Sequence, residues 1–228
     1  MSPRMQLKLF CPLVVFALLC FCACTPAGEL QQLDSKNGFT LVPSPEKSQR
    51  VANFAGGCFW AMQECMRELK GVKKVISGYA GGDLANPTYE MVLGGKSGHA
   101  ETVQVYYDPK VISFEQLTEA FFYAHDPTQI DGQGPDLGRD YRSIAFYRST
   151  QEYKTIRKVM DKIDRNGPYS EPVLTELMAY KVFYPAETSH QDYYRKHSWD
   201  PYIRRVSVPK VLKMKHFVSY LVDPKYLH

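Results

Sequence analysis

Val51-Ala52-Asn53-Phe54-Ala55-Gly56-Gly57-Cys58-Phe59-Trp60 decides how the chain is read. A short apolar run enters two glycines, then come a cysteine, two large aromatics and a helix-like stretch over residues 61–69. The order is strand, tight turn, helix, and the glycines permit the turn and a close backbone approach. Cys58 then falls at or near the first helical turn. Unpaired N–H groups and the helix dipole favour an anion there. For a cysteine that anion is the thiolate, which is the nucleophile. The stretch therefore predicts a reactive Cys58, its pKa lowered from the free-thiol value of about 8.5.

Outward from this junction the chain alternates strands and helices. Gly71 suits a helix C-cap. Residues 73–79 read as a second strand, and Gly78, Gly81, Gly82, Asn86 and Pro87 mark a long loop. Residues 99–105 alternate as a strand. Ser113 and Gln116 form a capping box for a helix reaching Tyr123. Residues 126–140, rich in Gly, Asp, Gln and Pro, are loop. A strand over 141–147, a helix opened by Ser149 and Glu152 and ended at Asn166-Gly167-Pro168, a strand over 173–180 and a final helix over 185–197 complete the pattern. This order predicts an α+β two-layer sandwich with a ferredoxin-like, split βαβ core.

Residues 1–23 read as a lipoprotein-type signal peptide. Arg4 and Lys8 precede an uncharged apolar run of about fifteen residues, shorter than a membrane span of about twenty. Cys24 follows Ala23 in a stretch that resembles a bacterial lipobox, so it is the expected lipidation site. The expected location is extracytoplasmic, in the periplasm or at the cell surface, with a lipid anchor as the only membrane contact. Residues 24–49, polar and bearing Pro26, Pro43 and Pro45, read as a linker. The remaining length of about 200 residues suits one domain. Without Arg4 and Lys8 the 28 basic residues fall to 26 against 24 acidic ones, a charge near +2, which argues for no nucleic-acid partner. Within the folded part only Cys58 and Cys65 remain. Seven residues along one helix rise about 10.5 Å, more than the roughly 6.8 Å a disulfide tolerates between Cα atoms, so two free thiols are expected. No His/Cys/Asp cluster has metal-ligand spacing; His190 and His197 lack a third partner.

Gly57-Cys58-Phe59-Trp60 resembles the signature of the peptide methionine sulfoxide reductase A family. So do Gly78-Tyr79-Ala80-Gly81-Gly82, Asn86-Pro87-Thr88-Tyr89, Gly98-His99-Ala100-Glu101, Asp136 with Tyr141-Arg142-Ser143, and Phe183-Tyr184-Pro185-Ala186-Glu187 with His190-Gln191. These matches span nearly the whole domain, placed at residues 50–205. Reducing a sulfoxide with a thiol needs a nucleophile at sulfur, an acid for the oxygen and an apolar wall for the methyl group. Cys58 is the nucleophile. Glu101 is the acid, held neutral by desolvation. Tyr89 and Tyr141 donate hydrogen bonds to the oxygen. Phe59 and Trp60 form the methyl pocket, with Gly57 and His190 beside it. The resemblance implies the same roles and makes Asp136 a substrate-side or water-ordering group. It also implies the S epimer as substrate, free or in oxidised proteins. No cofactor is expected to be bound, and the first products are methionine and a cysteine sulfenic acid.

Two departures shape the expectation. Gln63 stands where the family often carries a glutamate. Residues 206–228, read as a C-terminal extension, lack the resolving cysteines many members have there. The sulfenic acid is then reduced directly by an external thiol, either a thioredoxin-like protein or a small molecule; resolution by Cys65 after local unwinding is the other route. A thiol peroxidase, a cysteine hydrolase and a non-catalytic surface peptide-binding module remain open alternatives on the residues alone.

Overall fold

The strand that begins the deciding stretch, β1 (Arg50–Ala55), alternates its side chains across a sheet. Ala52 and Phe54 enter the main core, while Val51 and Ala55 face the opposite side. A computed structural model describes residues 38–227; the signal segment, Cys24 and linker residues 24–37 lie outside the described residues. The helix α1 (Phe59–Arg67) follows, then β2 (Val72–Ala80), a short α2 (Tyr89–Leu93) and β3 (Ala100–Tyr107). Next come α3 (Phe114–Tyr123), a small hairpin of β4 (Gly132–Gln133) and β5 (Asp136–Leu137), β6 (Ile144–Tyr147) and α4 (Thr150–Asn166). The chain closes with β7 (Glu176–Ala179), β8 (Phe183–Pro185), α5 (Tyr193–Lys196) and α6 (Val208–Phe217).

The main sheet runs β7-β6-β1-β3-β2-β8. Its centre, β6-β1-β3-β2, is antiparallel throughout and has the strand order of a ferredoxin-like core. β7 adds in parallel at one edge and β8 antiparallel at the other. The predicted α+β sandwich is therefore the observed one. The core forms between this sheet and the helices: Met62, Cys65 and Met66 from α1 join Leu117, Ala120 and Phe121 from α3, with Leu69 just beyond α1, and Phe54 stacks on Phe121 at 4.9 Å. The capping box on α3 forms in full, with Gln116 N–H donating to Ser113 and Ser113 N–H to Gln116. All eight residues of β3 are buried, because both sheet faces are covered. Period two then sends Glu101, Val103, Val105 and Tyr107 toward the helices.

Three expectations change, and the end of the linker gains a place. Residues 139–141 form a 3₁₀ turn rather than the start of a strand, so β6 begins at Ile144. The final helix over 185–197 is absent: Pro185 ends β8, residues 188–190 make a 3₁₀ turn, and Asp192 at φ +59° interrupts helix before the one-turn α5. Residues 206–228 are no appendage. Val211, Met214, Val218, Leu221 and Val222 lie in the main core, placed there by α6 and the turn after it. The end of the linker, residues 38–49, is drawn onto the domain: Thr40 N–H donates to Ala186 O, Tyr106 OH donates to Pro43 O at 2.7 Å, and Val42 covers the far sheet face.

Candidate active site

Cys58 is the N-cap of α1, 6% exposed. Gly57 supplies the turn that delivers it, at φ +81°, and a side chain there would meet the Gln133 stem at 2.5 Å. Glu101 reaches the same helix start from β3. Its Oε2 accepts the Phe59 N–H at 2.8 Å, satisfying one of the first amides that a helix leaves unpaired. The carboxyl is 2% exposed. Burial drives its pKa up to about 8, against the Phe59 hydrogen bond, with help from the charges of Asp140 and Asp136. At neutral pH it carries a proton.

The expected low pKa at Cys58 is not what the structure gives. Burial first, then the charge of Glu101, push the thiol well above its usual value; bonding from Trp60 N–H and Tyr202 OH opposes them only in part. The helix start cannot outweigh desolvation here, because its first amide is already engaged by Glu101. The resting site thus pairs a neutral thiol with a neutral carboxyl.

Around this pair stands a cup of rings. Phe59 lies 5.9 Å from Tyr79 and 6.4 Å from Tyr89 between centroids. Trp60 stacks on Tyr193 at 3.7 Å and meets Tyr202 edge-on at 5.8 Å. His190 packs against Tyr89 at 4.2 Å, and its Nδ1 accepts from the Trp60 indole at 3.3 Å. Burial lowers the His190 pKa, so it is a neutral wall residue rather than a proton carrier. The Tyr89 and Tyr141 hydroxyls are pushed up by burial and then by the Glu101 charge. They stay protonated, and among the described residues neither hydroxyl has a hydrogen-bond partner of its own. Both are free donors.

Asp136 joins the site through residues the sequence reading passed over. Its Oδ2 accepts from Tyr202 OH at 2.6 Å and lies 3.6 Å from Lys210 Nζ. The Lys210 ammonium is buried with no hydrogen-bond partner among the described residues, wedged beside Gly57. Glu187, noted in the sequence only as part of a family-like stretch and given no role there, accepts Tyr79 OH at 2.8 Å and Tyr89 N–H at 2.9 Å, fixing two walls at once. Gln63 turns its amide to Val75 O and Gln191 Oε1 and accepts from Asp192 N, a neutral network in place of a glutamate. Cys65 is not brought to Cys58. It is fully buried and unbridged, and burial followed by the Glu68 and Glu64 charges holds its thiol far above the usual value. Among the described residues no group of three His, Cys, Asp or Glu could hold a metal ion.

Fold and site together define a thiol-based oxidoreductase whose acid partner is a buried carboxyl. Residues 50–220 match the family model described as peptide methionine sulfoxide reductase. The chain is 41% identical over 175 residues to peptide methionine sulfoxide reductase MsrA of Natronomonas pharaonis, covering 77% of this chain and 98% of that one. It is likewise 41% identical over 177 residues to MsrA of Thermus thermophilus, covering 77% and 99%. Among solved structures it resembles reduced Mxr1 from Saccharomyces cerevisiae, with TM-score 0.64, 32% identity, and 69% of this chain and 91% of that chain covered. Methionine sulfoxide reductase A of Corynebacterium diphtheriae is similar at TM-score 0.61 and 26% identity, covering 75% and 92%. The chain belongs to the peptide methionine sulfoxide reductase family.

Proposed function

We propose that this chain reduces methionine-(S)-sulfoxide, free and in oxidised proteins, to methionine through a sulfenic acid on Cys58. One observation carries the reading: a buried carboxyl with pKa about 8 is fixed on the same helix start as the thiol, inside a cup of rings. The sulfoxide methyl group packs against Phe59 and Trp60. Tyr89 and Tyr141 donate to its oxygen, and Glu101 delivers a proton there as Cys58 sulfur bonds to the substrate sulfur. The thiol proton passes to the Glu101 carboxylate, restoring it. The protonated oxygen and the Cys58 sulfur then leave the substrate sulfur joined to each other: the S–O and sulfur–sulfur bonds break, the O–S bond of the sulfenic acid forms and an electron pair stays on the thioether, so the balance is Cys–SH plus sulfoxide giving Cys–SOH plus thioether.

Recovery uses an external thiol, either a thioredoxin-like protein or a small molecule. The first thiol forms a mixed disulfide with Cys58 and releases water; a second thiol displaces it and leaves Cys58 reduced. The reading of residues 206–228 without cysteines supports this direct route. The apolar run ending at Ala23-Cys24 supports export and lipid anchoring at Cys24; acyl labelling that persists in Cys24→Ala would contradict that assignment. The test of the activity offers dithiothreitol with each methionine sulfoxide epimer separately and measures methionine formed. Turnover of the S epimer that vanishes in Cys58→Ser is expected; equal turnover of both epimers, or activity without Cys58, would contradict the reading.

A further inference from the structure

Trp199 is 67% exposed although it stands beside the stacked rings of the cup. The segment from Tyr193 to Tyr202 leaves the cup and comes back to it. Tyr193 stacks on Trp60 at its start, and Tyr202 meets Trp60 edge-on at its end. Between them His197 stacks on Tyr193 at 3.9 Å, and Trp199 meets His197 edge-on at 6.1 Å. A chain of ring contacts thus leads from Trp60 to a solvent-facing indole.

The loop that presents this indole is braced. Asp200 N–H donates to His197 O at 2.9 Å. The Asp200 carboxylate accepts Tyr202 N–H at 2.7 Å and Tyr193 OH at 3.2 Å. Arg204 Nε ties Ser198 O at 3.2 Å. A large ring held this way in water adds little to the fold, while its rigidity lowers the entropy cost of a contact made on binding. On the other rim Leu137, one residue beyond Asp136, is 77% exposed.

We infer that Trp199, backed by His197 and Tyr193, is a subsite for an apolar side chain flanking methionine sulfoxide in an extended polypeptide. The inference rests on the reductase reading of the cup. A residue whose sulfoxide sits at Cys58 lays its neighbours along the rim. The ring-to-ring steps of 3.7, 3.9 and 6.1 Å set an upper bound on the separation of Trp60 and Trp199 that is close to the span of about four residues of extended chain at roughly 3.3 Å each. Free methionine sulfoxide is too short to touch the indole, so it reports on the cup alone.

The experiment compares kcat/KM for free methionine sulfoxide, a blocked nonapeptide with methionine sulfoxide at its centre and glycine elsewhere, and the same peptide with leucine or phenylalanine at each of the other positions in turn. The full chain, Trp199→Ala and Trp199→Phe are assayed with dithiothreitol. The parent is expected to favour one apolar-flanked peptide by about tenfold, equivalent to about 1.4 kcal/mol. Trp199→Ala loses that preference, Trp199→Phe keeps part of it, and both turn over the free amino acid and the glycine peptide as the parent does. A parent without preference, a Trp199→Ala that retains it, or an equal fall on the free amino acid would overturn the subsite. A parent that reduces neither free methionine sulfoxide nor any of the peptides would instead refute the reductase reading, and the subsite with it.

Discussion

Replacing Glu101 by Gln keeps the side chain's shape and its acceptor for Phe59 N–H but removes the proton the reaction needs. The folded carboxyl titrates at about 8, against 4.5 for the unperturbed group. A raised acid pKa means that the folded state keeps a proton the unfolded chain releases. The contribution is intact below about pH 4.5 and is lost progressively as pH rises to about 8. At about 1.36 kcal/mol per unit, the parent should lose on the order of 4 kcal/mol from this one group between pH 5 and 8, while Glu101→Gln loses none of it. Burying the new amide adds a cost, about 1–3 kcal/mol, that does not vary with pH. Urea unfolding of both proteins at pH 5, 6, 7 and 8 therefore reads the slope of their difference, which should tilt steadily in favour of Gln. Single-turnover sulfoxide reduction by the parent should be flat below pH 7 and fall about tenfold per unit above 8; Glu101→Gln should lose roughly 10²- to 10⁴-fold. A difference in stability that stays flat across the range would mean that Glu101 ionises like an ordinary carboxyl, and the proposed acid would be gone.

Lys210→Met removes one of the two ties on Asp136 Oδ2 while burying no unpaired ammonium. Stability should hold or rise, by about 1 kcal/mol, and KM should rise severalfold with little change in kcat; steady-state kinetics beside thermal melts check this, and Lys210→Arg should recover part of the KM. Gly57→Ala forces a left-handed φ and a clash with the Gln133 stem, so it should lower stability by about 1–3 kcal/mol and cripple turnover together; a melting curve matching the parent would contradict this. Cys65→Ala leaves the direct route intact, so dithiothreitol-driven turnover should stay within about twofold of the parent despite a core loss of about 1 kcal/mol. Mass spectrometry of the oxidised parent should accordingly show no Cys58–Cys65 bond.

Much of this arrangement is legible in the chain because local signals and the fold agree. Gly56-Gly57 and the apolar run before them announce the strand-to-helix turn, and period-two alternation from Glu101 to Tyr107 places Glu101 on the helix side of β3. The Ser113–Gln116 pair forms the bonds its spacing implies. What stays hidden depends on distant contacts. Tyr202 and Lys210 reach Asp136 only because α6 folds back onto α1, and α6 itself is masked by lysines between Val208, Val211 and Met214. Its buried Val211, Met214 and Val218 do keep helical spacing, which was the available signal. The Cys58 pKa is misread for a similar reason. The helix start is local and visible, whereas the burial that outweighs it exists only in the assembled fold, and even the distant Tyr202 hydroxyl, which lowers the pKa by bonding the thiol, offsets it only in part. Glu187 shows no sign of its role until β8 sets it beside Tyr79 and Tyr89.

The central claim is that oxygen passes from the substrate sulfur to Cys58. Reduced protein mixed with excess methionine sulfoxide labelled with heavy oxygen, in the absence of any thiol, tests it in a single turnover. The account predicts one methionine formed per chain and the heavy oxygen on Cys58, trapped by a sulfenic-acid probe and located by mass spectrometry. Methionine formed without label at Cys58, or no methionine at all, would contradict it.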